Sequence, residues 1–146
     1  MARASSRKLA DAAETVVAAG GEGIAQAAAF AKRYAADRGL KETVGARLAV
    51  IVEELVTNLA KYGHPAGAPP GRAALRFRVA EGRLTLEMID DGGPFDPLSA
   101  PPPDLDVAPE RRELGGLGLH LVRSLAETLR YQRIDGRNHL TLTLRA

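Results

Sequence analysis

Residues 42–62 constrain the fold most strongly, because their apolar side chains recur with the period of an α-helix. The apolar stripe of this predicted helix consists of Leu48, Ile51, Val52, Leu55 and Leu59. At about 100° per residue, Glu54 and Asn58 lie one above the other on the shoulder of that stripe. An acid and an amide there can act on a group held against the helix. For this stretch alone, a solvated glutamate on an ordinary amphipathic helix is the more common interpretation.

The composition is that of one globular domain, with 146 residues, 45% hydrophobic and 26% charged. The sequence has no cysteine, which excludes disulfides and thiolate metal sites and fits a reducing compartment. Low aromatic content, 4%, and a net charge of only +2 do not favour a nucleic-acid partner. No apolar run reaches membrane-spanning or signal-peptide length. We therefore expect a cytoplasmic protein without a membrane partner.

The hydrophobic periodicity predicts a weak edge strand, two helices, a hairpin, a long loop, a third helix and a second hairpin. The predicted segments are 13–18, 23–38, 42–62, 75–79 with 84–90, 91–114, 115–128 and 129–134 with 138–145. We expect residues 1–12 to be a flexible N-terminus and residues 13–146 to form one domain. The predicted fold class is α+β, a two-layer sandwich of a mostly antiparallel sheet covered on one face by three helices.

Alternation assigns the faces of the first hairpin. Residues 75, 77 and 79 pair with 84, 86 and 88 on the buried face. The solvent face is predicted to hold Arg76, Arg78, Arg83 and Glu87. With Arg145, the arginines form a row on the outer sheet face, which serves docking or, more commonly, only solubility. In the third helix, the residues predicted to face inward are Leu117, Leu121, Val122 and Leu125.

The first hairpin ends in the second notable stretch, residues 90–97. If Leu84, Leu86 and Met88 face the core, Asp90 shares their face and Asp91 points away. A buried aspartate is costly unless it accepts a specific hydrogen bond, and the exocyclic amine of a purine is a suitable donor. Taken alone, an Asp–Gly turn that ends a strand explains the stretch equally simply.

The third stretch, residues 115–120, places glycines at the start of a helix. Such glycines expose backbone N–H groups and the positive end of the helix dipole to an anion. The stretch is neither a Walker A loop nor a dinucleotide fingerprint, because it lacks the following Lys-Ser/Thr and a parallel-strand unit.

In this order, the three stretches resemble the N, G1 and G2 boxes of the GHKL ATPase superfamily, which has the Bergerat fold. They are most similar to those of the anti-sigma factor serine/threonine kinases. The resemblance covers residues 12–146 and implies ATP and Mg²⁺ as cofactors. It implies that Glu54 is the catalytic base, that Asn58 is the Mg²⁺ ligand and that Asp90 reads the adenine amino group. The other cofactor-binding residues that it implies are Gly92, Gly116, Leu117, Gly118, Leu119, Asn138 and Arg112.

The resemblance also assigns the Pro-rich segment 95–114 to an ATP lid. Arg111 and Arg112 could reach the γ-phosphate when this lid closes, and a solvated charge cluster explains them equally well. Asn138 is assigned to the surroundings of the adenine. Two positions depart from the family pattern, since Pro94 replaces a glycine and Tyr62 stands where these kinases often have histidine.

The implied function is phosphorylation of a serine or threonine on a STAS-type antagonist, together with binding of a sigma factor and homodimerisation. An ATP-holding module that sequesters its partner with little transfer is the alternative. We do not expect a histidine kinase, because a helix pair with a phospho-accepting histidine has no room in this sequence. Gyrase-type, chaperone-type and mismatch-repair ATPases need further domains. His120 and His139 are assigned to the surface, whereas His64 has no assigned role.

Overall fold

The computed structural model of the chain describes residues 12–96, residue 98 and residues 116–146. Within this part, five strands and three helices form the predicted α+β sandwich. The elements are β1 (Ala12–Ala18), α1 (Gly21–Asp37), α2 (Glu42–Tyr62), β2 (Arg72–Ala80), β3 (Arg83–Asp90), α3 (Gly116–Leu125), β4 (Thr128–Ile134) and β5 (Arg137–Arg145). Of the expected flexible N-terminus, residues 1–11 lie outside the described residues, whereas Ala12 already belongs to β1. Most of the expected lid, residue 97 and residues 99–114, also lies outside them.

The five strands form one antiparallel sheet in the order β1-β2-β3-β5-β4. Two-residue turns close both hairpins, at Glu81–Gly82 and Asp135–Gly136, and all four residues have positive φ. This backbone twist matches that of the flanking strands, which explains why the Asp–Gly pair predicts the second hairpin. Leu75 pairs with Met88 and Phe77 with Leu86, so the predicted register of the first hairpin is confirmed.

The core lies between the inner face of the sheet and the helices. Helix α2 buries the whole predicted stripe, with Leu48, Ile51 and Val52 fully inaccessible to solvent. From the sheet, Phe77 packs against the rings of Phe30 and Tyr34, at centroid distances of 5.4 and 5.5 Å. Helix α2 is therefore the central element of the helical layer.

The third helix differs from its prediction. It ends at Leu125 rather than near residue 128, because Thr128 already belongs to β4. Its buried residues are Leu119 and Val122, whereas Leu121 is 40% exposed. Leu121 lies about 200° from Leu119 around the helix and so faces solvent. The prediction that Leu121 faces inward is therefore wrong, and the Leu117 side chain lies outside the described residues.

None of the helices in the described part of the chain is both long enough and apolar enough to span a bilayer.

A matched pair of substitutions tests this placement of the core. We expect Leu48→Ala to lower the free energy of unfolding by about 2–5 kcal/mol, because it leaves a cavity under α2. Leu121→Ala should cost less than about 1 kcal/mol, because that side chain is largely in solvent. Urea denaturation followed by circular dichroism measures both. Equal losses in the two variants would contradict the assigned face of α3.

Candidate functional site

A pocket of about 480 Å³, which includes space open to solvent, lies beside α2 and the ends of β3, β4 and β5. Its walls are largely apolar and are formed by Leu55, Leu59, Met88, Leu119 and Leu140. Three polar side chains reach the same pocket, namely Asn58, Asp90 and Asn138. An apolar pocket with a few converging polar groups is the usual form of a small-molecule site.

Helix α2 brings Asn58 to this pocket. Its side chain is buried at 5% exposure, and its Nδ2 has no hydrogen-bond partner in the described part of the chain. A buried donor without a partner costs about 1–3 kcal/mol. Since the same amide lines the pocket, a bound ligand or water there would remove the cost.

One turn earlier on α2, Glu54 contacts the start of α3. Its carboxylate lies against Gly118, where the added Cβ of any other residue would collide with it. Glycine at this position therefore allows the Glu54 carboxylate to lie beside the N-terminal turn of α3. The neighbouring Glu53 is exposed to solvent, as expected from the 100° rotation between consecutive residues. The first and third sequence stretches thus meet in space.

Asp90 ends β3 on the inner face of the sheet, as the alternation predicts, and is partly buried at the pocket. Its Oδ1 accepts hydrogen bonds from Asn138 Nδ2 at 2.9 Å and from the Gly92 backbone N at 2.9 Å. Burial raises the pKa of the Asp90 carboxyl above its ordinary value, although these bonds partly oppose the rise. Among the described residues no hydrogen bond uses Oδ2, which leaves that oxygen for a ligand.

The strand register places Asp90 beside two further polar residues. Asp90 pairs with Asn138 across β3 and β5, and Asn138 pairs with Arg133 across β5 and β4. Arg133 Nη1 donates to Asn138 Oδ1 at 3.0 Å and to the Gly92 carbonyl at 2.7 Å. The Tyr131 hydroxyl donates to the same Asn138 oxygen at 2.6 Å. Four polar side chains therefore form one connected network at this end of the pocket.

Two glycines after Asp90 allow the loop to contact the end of α2. The Gly93 N–H donates to the Gly63 carbonyl at 2.8 Å. A Cβ on Gly92 would lie 2.9 Å from Leu59 Cδ1 and 3.1 Å from Gly63 Cα, so a larger residue would push the two segments apart. Gly92 is thus needed for close approach of the loop to α2.

On the opposite side of this loop, Asp91 contacts His64, which the sequence leaves without a role. Asp91 Oδ1 lies 3.1 Å from His64 Nε2 and accepts the Arg72 backbone N–H at 2.9 Å. Partial burial raises the pKa of the Asp91 carboxyl, but the bonds from Arg72 and His64 outweigh it and leave the pKa below its ordinary value. The pair gives the α2 end a second attachment to the loop.

Two aromatic rings stand at the mouth of the pocket. Tyr62, at the end of α2, stacks on Phe95 with 6.3 Å between ring centroids and 16° between ring planes. Both rings are partly exposed, at 47% and 38%. Tyr62, at a position where these kinases often have histidine, therefore places an aromatic surface beside the start of the predicted lid.

The structure brings Asn58, Asp90, Leu119 and Asn138 together in one pocket, with Gly92 packed beside Leu59. Arg112 and the side chain of Leu117 lie outside the described residues. Gly116 begins α3, and Gly118 contacts Glu54.

Sequence reasoning missed Tyr131 and Arg133. The position of Arg133 was open to prediction, because the two-residue turn at Asp135–Gly136 fixes the cross-strand pairs and places Arg133 opposite Asn138.

Comparison with known proteins gives the same assignment as the motifs. The family described as Histidine kinase-like ATPase domain matches residues 17–144. The chain is 34% identical over 96 residues to the serine/threonine-protein kinase BtrW of Bordetella bronchiseptica, a match that covers 66% of this chain and 67% of BtrW. It is 30% identical over 95 residues to the serine-protein kinase RsbW of Bacillus licheniformis, over 61% of this chain and 58% of RsbW.

Solved structures agree on the fold. The RsbU and RsbW domains of Rv1364c from Mycobacterium tuberculosis superpose over 92% of this chain and 32% of that chain, with a TM-score of 0.65 and 18% identity. The catalytic domain of the histidine kinase ThkA superposes over 91% of this chain and 97% of that chain, with a TM-score of 0.50 and 12% identity.

The resemblance stated from the three sequence stretches is therefore confirmed, and the chain belongs to the histidine kinase-like ATPase family, in which its relatives BtrW and RsbW are serine/threonine- and serine-protein kinases.

Proposed function

We propose that this kinase uses ATP and Mg²⁺ to phosphorylate a serine or threonine of a STAS-type antagonist, and that it also binds a sigma factor or an equivalent regulator. The observation that carries the proposal is Asp90, a partly buried carboxylate with one oxygen unengaged by the described residues, at an apolar pocket. The names of BtrW and RsbW support the kinase activity.

The pocket end near Asp90 suits adenine. The exocyclic amine of adenine donates to Asp90 Oδ2, and the ring packs against apolar side chains such as Met88 and Leu140. Guanine carries a carbonyl oxygen at the same position, which a carboxylate repels. In this arrangement the pocket selects ATP over GTP through charge and hydrogen-bond polarity.

The phosphates extend from the base towards the start of α3. The backbone N–H groups of residues 116–119 and the positive end of the helix dipole stabilise them there. At this end of the pocket, Leu119 supplies a buried apolar contact. We assign Arg112 and the lid, residues 95–114, to closing over the γ-phosphate, and Gly92 to letting the loop approach the base.

The donor set near the phosphates suits Mg²⁺ held mainly by its substrate. Among the described residues, no cluster of three or more His, Cys, Asp or Glu could hold a metal ion. Mg²⁺ needs few protein ligands when phosphate oxygens and waters complete its shell. The Asn58 amide is buried, with Nδ2 unpaired among the described residues. Its oxygen would hold the cation, and its Nδ2 would remain to donate to a phosphate oxygen. When bound, Mg²⁺ would supply positive charge against the phosphates.

In the transfer step, the hydroxyl oxygen of the acceptor side chain attacks the γ-phosphorus of ATP. The bond from that phosphorus to the β-γ bridging oxygen breaks, and ADP leaves with the electron pair. Glu54 takes the hydroxyl proton as general base. Gly118 leaves space for this carboxylate at the helix start, where the phosphates are expected.

The partners are proposed from the kinases that the chain resembles. We assign the STAS-type antagonist as the phosphorylated protein, the sigma factor as the sequestered one, and a homodimer as the active assembly.

Substitution of Glu54 tests the catalytic assignment. We expect Glu54→Gln to lower transfer of labelled γ-phosphate to a STAS protein about 10²- to 10⁴-fold, because no base accepts the hydroxyl proton. Affinity for ATP, measured by calorimetry, should change little. Glu53→Gln is the matched control and should behave as the native chain, because Glu53 faces solvent.

The reverse result, with Glu53→Gln inactive and Glu54→Gln active, would contradict the helix register. If the native chain binds ATP and the STAS protein but transfers nothing, a sequestering module without kinase activity is the correct function.

A second prediction concerns Asp90. We expect Asp90→Asn to weaken ATP binding about tenfold or more, because a charged acceptor for the adenine amine is lost. In the native chain, affinity should fall as pH decreases, because protonation removes the acceptor, and the fall should begin above the pH range of an ordinary aspartate. Calorimetric titrations with adenosine at decreasing pH, which avoid the titration of the phosphates, measure this. A native profile that matches that of Asp90→Asn would remove Asp90 from base recognition.

A further inference from the structure

We propose that Asn138, Tyr131 and Arg133 form a positioning network that fixes the Asp90 carboxylate and thereby sets the preference for a base carrying an amino group. The inference deepens the proposed function and rests on it, since it assumes that Asp90 receives the amine of adenine. It adds two residues on β4, Tyr131 and Arg133, and gives Asn138 an indirect role.

The strand register brings three polar side chains of the network together. Asp90, Asn138 and Arg133 occupy one cross-strand row over the adjacent strands β3, β5 and β4. Directly opposite residues on one face of a sheet lie within side-chain reach of each other. The row therefore delivers a carboxylate, an amide and a guanidinium to neighbouring positions without help from any loop.

The side-chain amide of Asn138 uses its full hydrogen-bonding capacity within the protein. A carboxamide offers two N–H donors and two acceptor lone pairs. Its Nδ2 donates to Asp90 Oδ1 at 2.9 Å and to the Gly93 carbonyl at 2.8 Å. Its Oδ1 accepts from Tyr131 at 2.6 Å and from Arg133 at 3.0 Å. Every position on the amide is used by the protein, which leaves none for a nucleotide.

The orientation of the amide is also determined by its neighbours. Rotation by 180° would place Oδ1 against the Asp90 carboxylate and the Gly93 carbonyl, all of which are acceptors. The guanidinium of Arg133 can only donate and would then face the amide N–H groups. With only one orientation favourable, Asn138 holds Asp90 Oδ1 in place and turns Oδ2 away from itself. Asn138 thus acts through Asp90.

Arg133 connects this network to the loop after β3. Its Nη1 donates both to Asn138 and to the Gly92 carbonyl at 2.7 Å, while the Gly92 N–H donates to Asp90. Arg133 therefore holds the loop backbone directly and the Asp90 side chain indirectly, through Asn138 and the Gly92 N–H. Because the Arg133 side chain is exposed, its charge can be removed without opening a cavity in the core.

The charges around Asp90 are consistent with this role. Burial raises the pKa of the Asp90 carboxyl, and the bond from Asn138 and the charge of Arg133 lower it. Asp91, which is paired with His64, raises it further. Among the described residues that line the pocket, the other titratable groups are the hydroxyls of Tyr131 and, on α2, Tyr62. The network thus favours the charged form, which is the form that accepts the amine.

The test compares ATP with purine riboside triphosphate, which lacks the 6-amino group. Calorimetry in the presence of Mg²⁺ gives both affinities, and their ratio isolates the Asp90–amine interaction. We expect a ratio of about tenfold or more in the native chain. It should fall towards one in Asn138→Leu and to intermediate values in Arg133→Gln and Tyr131→Phe. Affinity for the purine nucleotide should hardly change, because that ligand makes no bond to Asp90.

The matched control is Arg130→Gln, on the outward face of the same strand, which should keep the native ratio. A second readout is the pH dependence of adenosine binding. In Arg133→Gln, the loss of adenosine affinity on acidification should begin at higher pH, because a positive charge that favours the Asp90 carboxylate is lost. A purely structural role for Arg133 would leave the pH at which affinity falls unchanged.

The outcomes separate the two proposals. If the native chain does not bind ATP, the proposed function fails, and this inference fails with it. If the native chain prefers ATP and the variants keep that preference, only the network is overturned. If Asn138→Leu loses both nucleotides equally while folded, Asn138 contacts the nucleotide directly and the indirect role is wrong. If that variant does not fold, Arg133→Gln and Tyr131→Phe decide the question.

Discussion

The site depends on the cost of placing a carboxylate, Asp90, on the inner face of a sheet. A partly buried acid is destabilising unless its oxygens are hydrogen-bonded. Asn138 and the Gly92 N–H satisfy one oxygen, and Arg133 and Tyr131 in turn satisfy Asn138. The hydrogen bonds that stabilise Asp90 on β3 therefore depend on Asn138 of β5, and those of Asn138 depend on the edge strand β4. Among the described residues, the oxygen left without a bond is the one available for recognition.

Helix α2 links this end of the pocket to the other. Its apolar stripe anchors it in the core, so the side chains on its shoulder have little freedom to move. Near its middle, Glu54 contacts Gly118 of α3, and at its end Gly63 binds the Gly93 N–H. The His64–Asp91 pair reinforces the second contact. One rigid element thus touches both glycine-containing stretches.

Much of this could be predicted from the sequence because it depends on local periodicity. The helical period located α2 and its buried stripe, and the alternation of β3 placed Asp90 inward and Asp91 outward. The two turns predicted both hairpins, and with the alternation they predicted the register of the first. For the same reason, Arg133 opposite Asn138 was open to prediction. The exposure of Leu121 was not open to prediction. The short helix α3 has apolar residues on two faces, and local periodicity does not say which face meets the core.

The β3–β5 pairing had no comparable local signal. The pairing of Asp90 with Asn138 joins residues 48 positions apart, and no turn connects their strands directly. Only the packing of the complete sheet fixes that register, and a slip by one residue would turn Asn138 to the solvent face. The contact of His64 with Asp91 depends likewise on where the end of α2 meets the sheet.

The length of α2 has a further consequence for the site. From Glu54 to Gly63 the helix advances nine residues, which is about 13.5 Å. That span separates the contact with α3, where the phosphates are proposed to lie, from the contact with the loop after Asp90, where the base is proposed to lie. A nucleoside triphosphate in an extended conformation has a similar length. A helix packed rigidly into the core can therefore set the distance between base recognition and the reacting phosphate.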